Sequence, residues 1–378
     1  MSVQIINKAD WLNSVYSKSD SERSRIVAGV ALKMFEVYFC EKSQGCTAQE
    51  KIENYISLSK QENKEEGIRQ ICLDLGKFVQ FLKQDHPEIK INEQQKRIFK
   101  KKTPKTIKNY FGFIKAYLRY CYGIKLPDDD IKDYAGLPKL RKERRRAISP
   151  KTLKKIVNAK IDPTRKALYL TLISSGMRLG EALALRKNNF HANESPVRIT
   201  IDAETTKTLE SRETFISSEA YEEVKPILDS KNDNDLVFTN QEINHMAVSN
   251  EEAFFSKLRE RLGEKDKEIL EKYPNSCRHI VNIHAMRAYF NTKASQKHGS
   301  DYAHAMIGHG GYLQQYYRED EDPKLRGEKY KELEPSLLIS SYKPESEKAK
   351  DEKIESLQTQ LNEIQAQMKR WELIKQNP

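Results

Sequence analysis

The chain has 378 residues, a hydrophobic fraction of 38% and a net charge of +11, from 66 Lys+Arg against 55 Asp+Glu. This length allows about two domains with separate cores, and the positive excess favours a partner that carries phosphate. Because the amino terminus lacks the apolar core of a signal peptide and no apolar run long enough for a membrane span follows, we expect no membrane partner. We expect an intracellular protein.

The cysteines give no sign of a disulfide framework or of a metal site. They are scattered, with no CxxC pair, at Cys40, Cys46, Cys72, Cys121 and Cys277. Cys277 and His279 are close in sequence but have no second pair at ligand spacing. We therefore expect buried or idle thiols, with no metal and no cofactor.

The first helix pattern follows a Ser-Asp-Ser-Glu cap that begins at Ser19. Ile26, Val30, Met34 and Val37 recur after it at helical spacing and predict a helix.

A later helix has a start signal at Thr103-Pro104 and a stop signal at Gly123. No strand pattern occurs before about residue 190, so residues 1–137 are predicted to form a compact all-α domain. Its basic run near residue 100 predicts a DNA contact through Lys100, Lys101, Lys102, Lys105 and Lys108. The alternative is a solvated helix surface.

Residues 138–150 are predicted to link two domains. A Gly-Leu-Pro sequence that begins at Gly136 breaks the preceding helix, and Ser149-Pro150 starts the next one. The basic residues between them are Arg141, Lys142, Arg144, Arg145 and Arg146. Such a segment could lie along a DNA backbone and neutralise phosphates, or it could be a solubilising tether.

After the linker, helices resume, and the alternation from Val197 to Ile201, with Phe215-Ile216, predicts a small antiparallel sheet at about 196–217. Helical patterns return from Ser218. The fold class is therefore mainly α with a small antiparallel β-sheet.

Residues 336–378 are predicted to be a tether followed by a coiled-coil-like helix, or a helix docked on another surface. Its seam consists of Ile354, Leu357, Leu361, Ile364, Met368 and Trp371.

Four short motifs in the second half carry chemistry together, although each alone is a weak signal. They are SSGMRLGEAL with Arg178 and Glu181, TTKTLESRETF with Lys207 at a hairpin, HAMRAYF with His284 and Arg287, and IGHGGYLQQYYR with His309 and three tyrosines. His284 and Arg287 are three residues apart and share a helix face.

In order and spacing these motifs resemble the tyrosine recombinase (phage integrase) family over about residues 148 to 330. The family's catalytic domain contains, in order, Arg-x-x-Glu, a hairpin lysine, His-x-x-Arg, Gly-His and a tyrosine. This chain has a matching residue for each of them. The resemblance implies a helical core-binding domain at 1–137, a connector at 138–150 and a catalytic domain at 151–335. It implies a mobile-element integrase that binds double-stranded DNA at a specific site and assembles on paired sites as a tetramer.

The chemistry implied by the resemblance uses a tyrosine to form a 3′-phosphotyrosine, so neither ATP nor a metal is required. Two guanidinium forks, Arg178 and Arg287, suit the charge that develops on the phosphate oxygens. His284 and His309 could hold the phosphate or move the phenol proton, because imidazole titrates near neutrality. The family assigns Lys207 as the general acid.

The identity of the nucleophile and the choice between rival functions stay open. The distance from His309 to the tyrosines is shorter than the family's usual gap, so the nucleophile is assigned to Tyr317, which comes closest to that gap, with Tyr316 as the alternative. Glu181 is expected to orient Arg178 through a buried ion pair. The rival functions are a type IB-like topoisomerase and a catalytically inactive DNA-binding protein of the same fold.

Overall fold

The computed structural model describes residues 7–19, 21–42, 47–92, 97–140, 148–206, 209–273, 278–308 and 323–340. These residues form two compact units, one that ends at residue 140 and one that begins at residue 148. Each unit has a hydrophobic core of its own.

The first unit is mainly helical. Its helices are α1 (Lys8–Ser19), α2 (Glu22–Lys42), α3 (Ala48–Lys60), α4 (Lys64–Leu82), α5 (Pro104–Tyr122) and α6 (Asp128–Tyr134). The Thr103 hydroxyl accepts the backbone N–H of Thr106 at the start of α5, and Gly123 ends the helix with a φ of 71°. Both predicted boundary signals of this helix are confirmed.

The buried face of α2 is formed mainly by aromatic side chains. Ile26 is 55% exposed and Val30 is 38% exposed, whereas Phe35 is buried and packs edge-on against Phe78 of α4, with ring centroids 5.3 Å apart. The predicted helix is confirmed. Aromatic side chains bury more apolar area than the aliphatic ones, so they decide which face turns inward.

A short hairpin in the first unit corrects the expectation of an all-α domain. β1 (His86–Asn92) pairs antiparallel with β2 (Arg97–Phe99), and the register shifts twice along the pair. The hairpin is anchored by few apolar residues, chiefly Ile89 and Phe99. Because its register is irregular and Pro87 interrupts it, no clean alternation marks it in the sequence.

The second unit is built around one buried helix. Its helices are α7 (Pro150–Val157), α8 (Pro163–Ser175), α9 (Leu179–Leu183), α10 (Ser218–Asp229), α11 (Asn244–Gly263), α12 (Ile283–Ile307) and α13 (Pro323–Leu333). The Ser149 hydroxyl accepts the N–H of Thr152, which confirms the predicted restart of the helix. Residues 167–175 of α8 are all buried, so this helix has no polar face at its carboxyl end.

A three-stranded antiparallel sheet lies in the second unit. β3 (Phe190–His191), β4 (Val197–Ile201) and β5 (Arg212–Ile216) are ordered β3-β4-β5. Val197, Ile199 and Ile201 are buried in alternation, as predicted. The mainly α fold with a small antiparallel sheet is confirmed.

The last described residues pack into the second core. Leu337 and Ile339 are each 1% exposed, and the Glu219 carboxylate accepts the backbone N–H groups of Ile339 at 2.7 Å and Ser340 at 2.8 Å. The prediction that a tether begins at residue 336 was therefore wrong. The predicted helical seam at 354–371 lies outside the described residues.

Candidate active site

Glu181 is the acceptor around which the candidate site is organised. Its side chain is 1% exposed and lies in the first turn of α9. Oε2 accepts the backbone N–H of Arg178 at 2.7 Å, and Oε1 accepts Nη1 of the same residue at 2.7 Å. The Arg178 side chain keeps 27% of its surface exposed. Glu181 thus caps the start of α9 and holds a guanidinium group at the protein surface.

A second arginine, which the sequence analysis did not single out, binds the same carboxylate. Arg212 begins β5, and its side chain is 4% exposed. Its Nη1 and Nη2 donate to Oε1 and Oε2 of Glu181 at 3.1 and 2.6 Å, which is a bidentate pair. Burial disfavours the charged form of Glu181, but the hydrogen bonds and charges of Arg212 and Arg178 outweigh it and lower its pKa.

Arg287 has carbonyl partners instead of a carboxylate. Its side chain is buried on α12, and Nη1 and Nη2 donate to the carbonyl oxygens of Gly176 and Ile307, each at 2.6 Å. These carbonyls end α8 and α12, where the helix dipoles favour a cation. Burial, followed by the nearby charge of Arg178, lowers the pKa of Arg287 to about 9. It is therefore charged at neutral pH.

The carboxyl end of α8 is fixed from three directions. The carbonyl of Ser174 accepts the Tyr330 hydroxyl at 2.8 Å, and that of Ser175 accepts the Thr214 hydroxyl at 3.1 Å. With the bond from Arg287 to Gly176, the last carbonyls of α8 bind α13, β5 and α12 in turn. Arg178 follows Gly176 by two residues, so these hydrogen bonds also fix the backbone position from which its side chain extends.

Two glycines permit the close packing around the arginines. Gly176 has a φ of +66°, and a Cβ there would lie 2.4 Å from Cδ1 of Phe290. Gly308 has a φ of +67°, and a Cβ there would lie 2.9 Å from Cδ of Arg212. Both residues end helices in the left-handed region, so a side chain at either position would be strained by backbone and by contact.

His284 lies one helical turn before Arg287 in the first turn of α12 and is exposed, whereas Arg287 is buried. The two side chains therefore have different environments although they lie on one helix. The amino terminus of a helix favours negative charge, so His284 lies where an anion would be stabilised.

The remaining predicted site residues lie outside the described residues. They are Lys207, His309, Tyr317 and the alternative nucleophile Tyr316. The described residues beside Lys207 belong to the connection between β4 and β5, in which the Thr206 hydroxyl accepts the N–H of Glu210 at 3.1 Å and donates to its carbonyl. Gly308, directly before His309, ends α12.

The predicted lysine contacts of the first unit lie at the start of α5. Lys100, Lys101, Lys105 and Lys108 are exposed, and Nζ of Lys102 is 4.6 Å from the centroid of the Phe99 ring. The first turn of α5 contains no acidic residue. Lysines and a helix amino terminus therefore give this surface a local positive potential. The predicted linker contacts, Arg141 to Arg146, lie outside the described residues.

Over the described ranges, no three His, Cys, Asp or Glu side chains are grouped so that they could ligate a metal ion. None of the helices in that part of the chain combines the length and hydrophobicity that a bilayer span requires.

The arrangement in the second unit is suited to binding one phosphate. Three guanidinium groups and one carboxylate share the centre, which leaves a formal charge of +2. Arg212 and Glu181 neutralise each other, so Arg178 and Arg287 supply the excess. Donors fixed in a place of low water access stabilise developing negative charge more strongly than donors in water.

Arg212 was missed because its partner is 31 residues away in sequence. One signal in the sequence points to it. Arg212, Thr214 and Ile216 occupy alternate positions of one strand, so a strand that buries Ile216 also directs Arg212 inward. A buried arginine requires an acceptor, and Glu181 was already predicted to be buried.

Comparison with protein families and known structures agrees with this geometry. A family model described as "Phage integrase family" matches residues 146–318, which include the arginine centre. No curated protein matches the chain.

Solved structures resemble the chain at low sequence identity. A Tn1549 transposon integrase in complex with a circular intermediate DNA is 12% identical, with a TM-score of 0.50, and the match covers 85% of this chain and 99% of that one. The XerH site-specific recombinase bound to difH substrate is 17% identical, with a TM-score of 0.48, and the match covers 84% and 85% of the two chains. The likeness to the Tn1549 integrase concerns the fold.

Proposed function

We propose that this chain, whose residues 146–318 match the phage integrase family model, is a site-specific tyrosine recombinase that cleaves DNA and transfers its strands. Its substrate would be a double-stranded DNA site, and its product a recombined DNA in which the broken strands have been rejoined. We propose a prokaryotic mobile element as its source, with the nucleoid as the place where it meets its substrate.

The observation that carries this proposal is the arginine centre. Arg178 and Arg287 come from separate elements, and the structural partners of both are hydrogen-bond acceptors that leave the centre positive. A phosphodiester carries one negative charge, and its transition state concentrates charge on the non-bridging oxygens. The centre lies within the region that the family model matches.

The proposed cleavage step is a transesterification. The hydroxyl oxygen of Tyr317, or alternatively of Tyr316, attacks the scissile phosphorus and loses its proton to a base. The bond from phosphorus to the 5′-oxygen breaks, and a 3′-phosphotyrosine and a free 5′-hydroxyl result. Because the ester keeps the energy of the broken bond, a 5′-hydroxyl from another strand can reverse the step without ATP or a metal.

Proton transfers accompany both bond changes in this proposal. Lys207 would protonate the departing 5′-oxygen, a role that rests on the family resemblance. His284 and His309 would hold the phosphate or accept the phenol proton. His284 is exposed in the first turn of α12, which supports a direct contact with an anion.

DNA binding away from the reacting phosphate is proposed for the first unit and the linker. The unit that contains residues 7–140 would be the core-binding domain, and the unit from residue 148 the catalytic domain. Lys100, Lys101 and Lys105, with their basic neighbours, would neutralise backbone phosphates, as would the residues from Arg141 to Arg146.

Self-association on paired sites, as a tetramer, is also proposed. The seam from Ile354 to Trp371 would contribute, because an isolated helix of this length is marginal in water. Truncation after Pro344 should leave cleavage of a single site intact and reduce assembly of the paired-site complex. Equal assembly of the two forms by sedimentation would contradict this role.

The rival functions give different products on a nicked-site substrate. A recombinase or a type IB-like topoisomerase forms a covalent protein–DNA adduct that survives a denaturing gel, whereas a binding protein that has lost catalysis forms none. Religation to a second duplex then separates the enzymes, because a topoisomerase restores its own duplex and relaxes supercoils as a monomer. We expect an adduct and transfer to the second duplex; absence of an adduct would contradict the proposed function.

A further inference from the structure

The geometry points to Arg212 as a positioning residue for strand cleavage, one that acts by holding Glu181 and, through it, the Arg178 guanidinium. This inference rests on the proposed function. Arg212 does not touch the proposed substrate site directly, since its side chain is 4% exposed.

Saturation of Glu181 is the first support. Its two oxygens accept four hydrogen bonds, two from Arg178 and two from Arg212. A carboxylate with two oxygens has about four acceptor positions, so Glu181 has no freedom to rotate without losing a bond. Removal of the Arg212 fork would free the Glu181 carboxylate to rotate, and the Arg178 side chain bonded to it would move with it.

The charge distribution is the second support. Without Arg212, the single Glu181 carboxylate would pair fully with Arg178 and draw its guanidinium inward. With Arg212 present, the bidentate pair occupies the buried position, and Arg178 stays 27% exposed with one nitrogen, Nη1, bonded to Glu181. Arg212 therefore leaves the charge of Arg178 uncompensated, in a position where it can meet a phosphate.

The position of Arg212 between motifs is the third support. Its Nε donates to the carbonyl of Met306 at 3.4 Å, and Gly308 approaches its side chain so closely that a Cβ would lie 3.0 Å from Nε. Arg212 also begins β5, directly after the connection that contains Lys207. The Arg212 side chain thus contacts α9 and the end of α12, and its backbone follows the connection that contains Lys207.

The test compares Arg212→Lys with Arg198→Lys. Arg198 is a matched control because it lies on the neighbouring strand β4, is 19% exposed and also pairs with a glutamate, Glu194, at 2.7 Å. Lysine keeps the charge but loses the fork. On a nicked-site DNA, we expect Arg212→Lys to slow adduct formation by about 30-fold, with DNA affinity within about twofold of wild type, whereas Arg198→Lys keeps the wild-type rate.

A second measurement separates positioning from a folding defect. A DNA whose scissile phosphate carries a methylphosphonate lacks one charged oxygen and needs less help from Arg178. The ratio of the rates on the two DNAs does not depend on how much protein is folded. We expect the defect of Arg212→Lys to shrink on the methylphosphonate, and the double variant Arg178→Lys/Arg212→Lys to be hardly slower than Arg178→Lys alone.

The outcomes distinguish the inference from the proposed function. An adduct from the wild type together with an equal defect of Arg212→Lys on both DNAs, or with no defect at all, would overturn the inference alone. Additive effects in the double variant would do the same. A wild type that forms no adduct would overturn the proposed function and the inference with it.

Discussion

The arginines of the second unit and the lysines of the first differ in burial and in their partners. Arg212 and Arg287 are buried, and each binds named acceptors at the ends of α9, α8 or α12. Lys100 and Lys105 are exposed on a surface at the start of α5. Fixed guanidinium forks suit one phosphate in one geometry, whereas flexible ammonium groups attract a backbone whatever its sequence. We therefore expect changes in the arginine centre to affect chemistry and changes in the lysine surface to affect binding.

The largest effect should come from the residue that forms the covalent bond. Tyr317→Phe removes the attacking hydroxyl, so it should abolish the adduct on a nicked-site DNA and leave DNA affinity nearly unchanged. The measurement is a denaturing gel beside a binding titration. If Tyr316→Phe loses the adduct and Tyr317→Phe keeps it, the assignment is wrong by one residue and the mechanism stands. If both variants and Tyr312→Phe all form the adduct, the recombinase proposal fails.

The second largest effect on adduct formation should come from the loss of one guanidinium group of the arginine centre. Arg178→Ala should slow adduct formation by about a thousandfold, the size typical of a removed transition-state donor, and change DNA affinity only slightly. Single-turnover rates measure the effect. Arg186→Ala is the control, because Arg186 is an exposed arginine of the same unit, 41% exposed and paired with Glu242. A similar rate loss in both variants would show that total charge matters and the centre does not.

The buried carboxylate should make the second unit sensitive to acid. Glu181→Gln leaves Arg212 without its ion-pair partner and should lower the unfolding free energy at pH 7 by about 3 kcal/mol. Burial disfavours the charged form of Glu181, but the bonds from Arg212 and Arg178 outweigh this effect, so its pKa is lower in the folded protein than the ordinary value of 4.5. The wild-type advantage is therefore fully present above pH 4.5 and is lost as the pH falls through the folded pKa.

Denaturant unfolding of both proteins between pH 7 and pH 3 measures this difference. We expect the two stabilities to converge at the acid end. A gap that stays constant down to pH 3 would mean that the carboxylate is not held in its charged form by the arginines.

The lysine surface should give the smallest effect per residue. Each of Lys100, Lys101, Lys105 and Lys108 changed to Gln should weaken binding to every DNA sequence equally and reduce the salt dependence by up to about 0.9 per lost phosphate contact. Lys132→Gln is the control, because Lys132 lies on α6, whose first turn is acidic and should repel phosphate. The slope of affinity against salt concentration measures this, and an unchanged slope in the fourfold variant would contradict DNA contact here.

The local features of this protein were determined by its sequence alone. The caps at Thr103 and Ser149, the end of α5 at Gly123 and the helix that carries Arg287 depend on neighbours within one or two turns, so short-range rules predict them. The order of the four motifs is equally a property of the sequence, and it indicated the family whose model matches residues 146–318.

Only the tertiary structure decided how these local features combine. In the folded protein Ile26 is exposed to solvent, and Ile339 is buried in the core of the second unit. Phe99 lies in a hairpin whose register is irregular. The tertiary structure also brought Arg212 to Glu181, a contact between residues 31 positions apart. Such outcomes depend on competition among distant apolar surfaces and on the need of a buried charge for a partner, and neither is visible in a window of neighbouring residues.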